Sequence, residues 1–171
     1  MKPQSSQTVY QGRVNVEISD YIYENGQKVQ REVVRKDDAV AIIALDQEYL
    51  YLIRQPREAV DEPELLELPA GTMDVPGESE LECAQRELAE EIGKKANHWE
   101  ELLWVYTSPG FTNEKVTLFK AMDLSDVDAE QDLEEKIDIV KVPLDEVEEI
   151  IDDIVDSKSL IGLLTVFSSY G

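Results

Sequence analysis

The sequence contains only one cysteine, Cys83, and one histidine, His98. A single cysteine cannot form an internal disulfide, which excludes a disulfide-stapled fold and fits a reducing compartment. We interpret Cys83 as a buried structural thiol and His98 as a surface residue. No apolar run approaches the ~20 residues that a membrane-spanning helix needs, and no signal peptide opens the chain. We therefore expect a cytoplasmic protein that does not associate with a membrane.

Positive charge is also scarce, because 16 lysines and arginines stand against 38 aspartates and glutamates, for a formal net charge of −22. Nucleic-acid binding depends on basic side chains that neutralise phosphates, so nucleic acid is excluded as a partner. The same charge argues against an anionic membrane surface. An anionic substrate would need a bound metal or local arginines to overcome this field. The length of 171 residues fits one domain with a real core.

The second half of the stretch from Leu68 to Lys94 predicts one amphipathic helix. Ser79 and Glu82 form a capping-box pattern at its start, and Gly93 is typical of the residue that follows the last turn. An apolar stripe with steps of three or four is formed by Leu81, Ala84, Leu88 and Ile92. Another face carries glutamates at the same kind of spacing, namely Glu87, Glu90 and Glu91.

These three glutamates repel one another, because like charges three or four residues apart on a helix cost roughly 0.2–0.5 kcal/mol per pair. The helix dipole also disfavours anions in the last turn. We therefore expect a cation among the carboxylates, and Mg²⁺ is suited to oxygen ligands shared with substrate phosphates. Arg86 can pair with Glu82 or Glu90. The alternative is a solvated acidic face on a surface helix.

Gly71, Glu78 and the segment Arg86-Glu87-Leu88-x-Glu90-Glu91-x-Gly93 resemble the Nudix box, the signature of Nudix hydrolases. The chain departs from that pattern in two places. Six residues, 72–77, separate the glycine from the first glutamate where the family has five, and Lys94 stands where the family has an apolar residue. The extra residue precedes the helix cap, so the spacing of the helical carboxylates is kept while the role of Glu78 is left open.

Alternating apolar residues around Asn25-Gly26, a strong hairpin turn signal, predict an antiparallel arm over residues 8–35. Ala39 to Leu45 is a near-continuous apolar run and predicts a buried central strand. Its hairpin partner is expected from Tyr49 to Ile53. Pro56, which follows shortly afterwards, either ends this strand or places it at an edge of the sheet.

Acidic loops are expected at residues 59–64 and 124–136. Two helices are expected near the C terminus, the first opened by Pro143 and the second beginning at about Ser157. The predicted fold is a mixed sheet with helices on its faces, an α/β (α+β) sandwich.

The resemblance extends over nearly the whole chain and is strongest to the ADP-ribose pyrophosphatase branch, through residues 67–71 and 108–114. In that branch a proline about fifteen residues after the box marks ADP-ribose preference, and Pro109 lies fifteen beyond Lys94. The resemblance implies a Nudix α/β/α sandwich over residues 39–171. It also implies an N-terminal arm, residues 1–38, that exchanges strands in a homodimer.

The site residues follow from the same resemblance. The main-chain oxygen of Ala70 and the carboxylates of Glu87 and Glu91 resemble the primary metal site for Mg²⁺ or Mn²⁺, with Glu90 serving a further ion. Glu90 and Arg86 are also placed among the catalytic groups. The general base is expected in the acidic stretch 132–135, as Glu134 or Glu135.

The substrate-binding residues are also implied by the resemblance. Arg57 matches an arginine that contacts the diphosphate. Arg31 and Glu32 match arm residues that reach the ligand across the dimer, or form a cross-strand surface pair. Pro109 and Glu114 are placed on the ligand side.

The predicted function is Mg²⁺-dependent hydrolysis of ADP-ribose, or a close ADP-sugar, to AMP and a sugar 5-phosphate. One alternative is a Nudix hydrolase of another nucleoside diphosphate sugar, such as GDP-mannose. The other is a Nudix module that binds ADP-ribose without cleaving it, although such modules usually lose box glutamates and this chain keeps them.

Overall fold

The computed structural model describes residues 2–129 and 136–168. The chain divides into two units, one containing the residues up to Asp38 together with Val105–Lys115, the other Ala39–Trp104 together with the residues from Val116 onward. The division into an arm of residues 1–38 and a hydrolase domain of residues 39–171 stays a prediction. No helix in the described ranges has the length and apolar character of a membrane span.

The first unit contains an antiparallel sheet of three strands in the order β1-β2-β3. The strands are β1 (Ser5–Gln11), β2 (Asn15–Ile22) and β3 (Lys28–Arg35). The turn between β2 and β3 contains Gly26 at φ 80°, and the Asn25 side chain accepts a hydrogen bond from the Gln27 amide at 3.0 Å. The hairpin predicted at Asn25-Gly26 is therefore confirmed, and β1 begins at Ser5, three residues before the predicted start of the antiparallel pattern at residue 8.

The second unit is built on a mixed sheet whose main path is β10-β5-β4-β9-β8. The central strand β4 pairs in parallel with β9 and antiparallel with β5 and β7, and β6 pairs with β5. The strands are β4 (Ala39–Leu45), β5 (Tyr49–Arg57), β6 (Glu62–Glu67), β7 (Ala70–Thr72), β8 (Lys94–Tyr106), β9 (Lys115–Asp126) and β10 (Asp138–Pro143).

Side chains alternate across β4, so each face of the sheet packs against a different helix. The helices are α1 (Glu80–Ile92), α2 (Val147–Ile151) and α3 (Ser157–Phe167). Val40 and Ile42 share a buried cluster with Leu88 of α1. Ile43 faces the other way and lies against Gly162 of α3. The predicted α+β sandwich, a mixed sheet with helices on its faces preceded by an N-terminal antiparallel arm, is thus confirmed.

Several predicted boundaries are wrong. Strand β5 continues through Pro56 to Arg57, because a register shift against β6 between Gln55 and Arg57 accommodates a residue without an amide hydrogen. Pro143 is the last residue of β10 and does not open a helix. Strand β6 begins at Glu62, inside the predicted loop 59–64.

Two further predictions need correction. β9 runs to Asp126, into the region predicted as a loop from residue 124. Leu81, assigned to the apolar stripe of α1, is 37% exposed because it lies in the first turn of the helix.

Candidate active site

Helix α1 begins and ends as its sequence predicts. The Ser79 side chain accepts from the Glu82 amide at 3.3 Å, and the Glu82 carboxylate accepts from the Ser79 amide at 2.8 Å. Gly93 ends the helix in the left-handed conformation, at φ 64°. Glu82 is therefore committed to the cap. Of the two partners considered for Arg86, the structure selects Glu90.

The Arg86 guanidinium holds three carboxylates. Nη1 donates to Glu87 at 2.6 Å and to Glu90 at 3.0 Å, while Nε and Nη2 donate to Glu78 at 2.9 and 3.1 Å. The hydrogen bond to Glu78 is the largest cause of the raised pKa of Arg86, and it lowers the pKa of Glu78 in return. The longer loop before the helix thus still delivers Glu78 to Arg86, a contact that the sequence left open.

Glu87 is packed against the backbone of β7. A Cβ placed on Gly71 would lie 1.8 Å from the Glu87 Cδ and 2.4 Å from its Cγ. Any side chain at residue 71 would therefore displace Glu87. Glycine is required here by the close approach of a neighbouring side chain.

Glu91 is bound to the same short strand. Its carboxylate accepts a hydrogen bond from the Ala70 amide at 2.9 Å, and the residue is only 4% exposed. Two of the predicted metal ligands, Glu87 and Glu91, are thus brought to the adjacent residues Ala70 and Gly71. The neighbouring thiol of Cys83 is buried, which raises its pKa to about 12 and keeps it protonated, as the structural interpretation requires.

The donors around β7 and α1 fit a hard divalent cation in their chemistry, since they are carboxylates of Glu87, Glu90 and Glu91 and a main-chain oxygen at Ala70. Within the described ranges no three His, Cys, Asp or Glu side chains are gathered closely enough to hold an ion. The cation between Glu87 and Glu90 is instead the Arg86 guanidinium. The expected cation among these carboxylates is thus supplied to Glu87 and Glu90 by Arg86, while the metal assignment stays a prediction.

A second charged group is centred on Arg57. Its Nε and Nη2 donate to the two oxygens of Glu67 at 2.6 and 2.9 Å, and 41% of its side chain is exposed. The hydrogen bond to Glu67 raises the pKa of Arg57 most, and the charge of Glu91 contributes to the same shift. Arg57 therefore lies within electrostatic reach of a box carboxylate.

Glu67 is the site residue that sequence reasoning missed. It is 1% exposed and is bonded to Lys158 of α3 as well as to Arg57. Burial alone would raise the pKa of Glu67, but the hydrogen bonds from Arg57 and the charge of Lys158 outweigh it and lower the pKa. The sequence signal that could have identified Glu67 is its position as the first residue of the segment 67–71, which contributed to the family resemblance.

The remaining predicted site residues lie in the first unit or outside the described ranges. Arg31 donates to the Tyr23 hydroxyl at 3.3 Å, and Glu32 is paired with Ile18 across the strands. Glu114 accepts from the Thr107 hydroxyl at 2.8 Å, and Pro109 lies in the preceding turn. His98 is exposed, as expected. Glu134 and Glu135 lie outside the described residues.

The fold and the box define a class of protein. The NUDIX domain family model matches residues 35–161. The chain belongs to the Nudix family, whose hydrolases act on pyrophosphate bonds and typically use a divalent metal. The family prediction is thereby confirmed.

Particular relatives refine this picture. The chain is 35% identical over 164 residues to the methanol dehydrogenase activator of Bacillus methanolicus, covering 92% of this chain and 88% of that protein. It is 34% identical over 168 residues to the ADP-ribose pyrophosphatase of Mycobacterium tuberculosis, covering 95% and 81% respectively. A crystal structure of an ADP compounds hydrolase matches with a TM-score of 0.86 at 29% identity, covering 96% of this chain and 91% of that one.

Proposed function

We propose that this Nudix pyrophosphatase hydrolyses ADP-ribose, or a related ADP-sugar, to AMP and a sugar 5-phosphate. The observation that carries the proposal is the placement of Glu87 and Glu91 against the adjacent residues Gly71 and Ala70, with the Arg57 guanidinium bonded to Glu67 three residues before Ala70. Carboxylates for a dication and an arginine for a diphosphate are the groups that this reaction needs. The similarity to an ADP-ribose pyrophosphatase supports the adenine nucleotide.

The metal would be Mg²⁺ or Mn²⁺, held by Glu87, Glu91 and the main-chain oxygen of Ala70, with Glu90 serving a further ion. When bound, the dication offsets negative charge that develops on the phosphate oxygens and lowers the pKa of the attacking water. Arg86 fixes the side-chain orientations of Glu87 and Glu90.

Arg57 binds the diphosphate. Glu67 takes the Nε and one Nη2 donor, and a guanidinium has five N–H donors, so donors remain for phosphate oxygens on the exposed part of the side chain. Glu134 or Glu135 accepts the proton of the attacking water. Arg31, Glu32, Pro109 and Glu114 bind the rest of the substrate, in a homodimer formed by exchange of the N-terminal strands.

The test is a panel of ADP-ribose, ADP-glucose and GDP-mannose incubated with Mg²⁺, with nucleotide release followed by chromatography. AMP from ADP-ribose is the expected product. Release of GMP from GDP-mannose without AMP from ADP-ribose would assign the alternative substrate. Binding of ADP-ribose without release of any product would assign the non-catalytic module.

Glu91→Gln tests the residue assignment. The variant should lose activity with little change in Tm, because the amide oxygen of glutamine can still accept from the Ala70 amide. The matched control is Glu101→Gln, which removes the same charge from an exposed position of β8. A Glu91→Gln protein that unfolds while turnover per folded molecule persists would refute the metal assignment.

The similarity to a methanol dehydrogenase activator favours a second candidate function, in which the chain stimulates a dehydrogenase. Adding wild-type protein and Glu91→Gln in parallel to a methanol dehydrogenase assay tests it. Stimulation by the wild type supports this function, and its loss in Glu91→Gln would show that stimulation uses the hydrolytic site. No stimulation by either protein would exclude it.

A further inference from the structure

The start of α3 carries a charged group that is not part of the Nudix box. Lys158 is 15% exposed and lies between two carboxylates, Glu67 and Asp156, the second at 2.9 Å. With Arg57 bonded to Glu67, the four formal charges cancel. A carboxylate as deeply buried as Glu67 is stable only when paired and hydrogen-bonded, and here two cations share that role.

Lys158 is itself held in place by the cap of its helix. Asp156 accepts from the Ser159 amide at 3.0 Å and from the Ser159 hydroxyl at 2.6 Å, and its carboxylate also bonds Lys158. Because the Lys158 ammonium group is bonded to the N-cap residue of its own helix, few rotamers of this side chain remain accessible. Its ammonium group is therefore fixed against Glu67 by the geometry of α3.

The same helix start also holds the backbone that leads into the box. The Leu68 amide donates to the Ser159 hydroxyl at 2.7 Å, and two residues later the Ala70 amide donates to Glu91. The segment 67–70 is thus anchored at one end by α3 and at the other by α1. Within this segment, Glu67 is the residue that contacts both Arg57 and α3.

We propose that Lys158 is a positioning residue that holds Arg57 in its diphosphate-binding orientation through Glu67. The inference deepens the proposed function and rests on it for the role of Arg57. Lys158 does not touch substrate. With Lys158 present, Glu67 is fixed by two cations and presents both oxygens to Arg57; without it, Glu67 is held by Arg57 alone and both side chains can turn toward water.

The kinetic test is a double-mutant cycle with Lys158→Met and Arg57→Ala, measured on ADP-ribose. Lys158→Met should raise KM about tenfold and leave kcat within about twofold, the pattern of lost ground-state binding. In the Arg57→Ala background it should have no further effect on KM. Lys158→Arg should restore most of the wild-type KM. Lys95→Met, the same change at an exposed position, is the matched control.

Two results would overturn the proposal. One is an unchanged KM in folded Lys158→Met. The other is an equal effect of Lys158→Met with and without Arg57, which a purely structural role would produce. Where Lys158→Met does not fold, Lys158→Gln, which keeps a donor toward Glu67 without the charge, replaces it in the same cycle.

A second measurement does not depend on catalysis. The Arg57 Nε–H signal in the NMR spectrum of isotope-labelled protein should exchange slowly with solvent, because its acceptor is buried. Exchange should be about tenfold faster in Lys158→Met if the bond to Glu67 opens more often. If wild-type protein does not cleave ADP-ribose, the substrate proposal fails, while this exchange rate still decides whether Lys158 positions Arg57. An unchanged rate would refute it.

Discussion

The side chain of Glu87 occupies the space where a side chain of residue 71 would begin, with its Cδ only 1.8 Å from the position of a Cβ on Gly71. The glycine and the glutamate come from different elements, β7 and α1, and each defines the position of the other. The glycine of the box is therefore needed for steric reasons, because it leaves room for the carboxylate that the chemistry requires.

Gly71→Ala should abolish most activity. The added methyl group forces Glu87 out of its position, and a displacement of about 1 Å at a catalytic centre can cost about 100-fold in rate. The free energy of unfolding should fall by less than the ~1–3 kcal/mol of an overpacked core, because the atoms that the methyl group meets belong to the flexible end of the Glu87 side chain. Turnover and urea denaturation measure the two effects. Gly110→Ala, whose Cβ meets nothing within 4 Å, is the stability control. Wild-type turnover in Gly71→Ala would contradict the arrangement.

Arg86→Lys should reduce both stability and activity, although it keeps the charge. A guanidinium presents donors in a planar fork to Glu78, Glu87 and Glu90 together, and an ammonium group cannot reproduce that geometry. We expect a loss of about 1.5–3 kcal/mol, the scale of one charged hydrogen bond, and at least a tenfold loss of kcat/KM. Arg54→Lys, on an exposed position of β5, should behave as wild type in both assays.

Ser159→Ala should destabilise the protein by about 1–3 kcal/mol, because it leaves the buried Leu68 amide without an acceptor. The control is Thr165→Ala on the exposed side of α3, where only a bond back to the helix carbonyl of Ile161 is lost. That change should stay within about 0.5 kcal/mol. Equal urea midpoints for the two variants would show that the Leu68 bond carries no net stability.

Stability should fall on acidification through the ordinary carboxyl range. The pKa values of Glu67 and Asp156 are lowered in the folded protein: burial opposes this, and the charge of Lys158 with the hydrogen bonds of Arg57 and Ser159 outweighs it. Below about pH 4 the unfolded chain therefore binds more protons, and each group contributes a slope of up to about 1.4 kcal/mol per pH unit. Above the carboxyl range both groups are ionised in the folded and the unfolded chain, so their full contribution to the free energy of unfolding is present.

Urea midpoints between pH 7 and pH 3 test this linkage. Asp156→Asn keeps a side chain that can cap α3 but removes one of the two titrating groups, so its midpoint should fall less steeply with acid. If the urea midpoint of Asp156→Asn falls with acid as steeply as that of the wild type, the titration of Asp156 does not contribute to the loss of stability in acid.

The sequence was most informative where the signal is local. The cap residues Ser79 and Gly93 mark both ends of α1, and the apolar run of β4 marks its bounds, because caps and burial act within a few residues. Pro143 was misassigned since a proline suits a first helical turn and the end of an edge strand equally well. Only the pairing of β10 with β5 decides between them.

The candidate site was predictable in its residue types but not in its contacts. The glutamates of α1 and Arg57 are visible in the sequence, yet the pairing of Arg86 with Glu78 requires the loop to close back on the helix. The contact between Glu67 and Lys158 joins residues 91 positions apart. A single sequence contains no signal for a contact at that separation.

The hydrogen bond between the Leu68 amide and the Ser159 hydroxyl also has a consequence for synthesis of the chain. A nascent polypeptide that has reached residue 150 already contains every box glutamate and the pair of Glu67 and Arg57, but Glu67 still lacks Lys158 and the Leu68 amide still lacks Ser159. We therefore expect the enzyme to mature only after α3 has left the ribosome, and a fragment that stops short of Ser157 should be inert and prone to degradation.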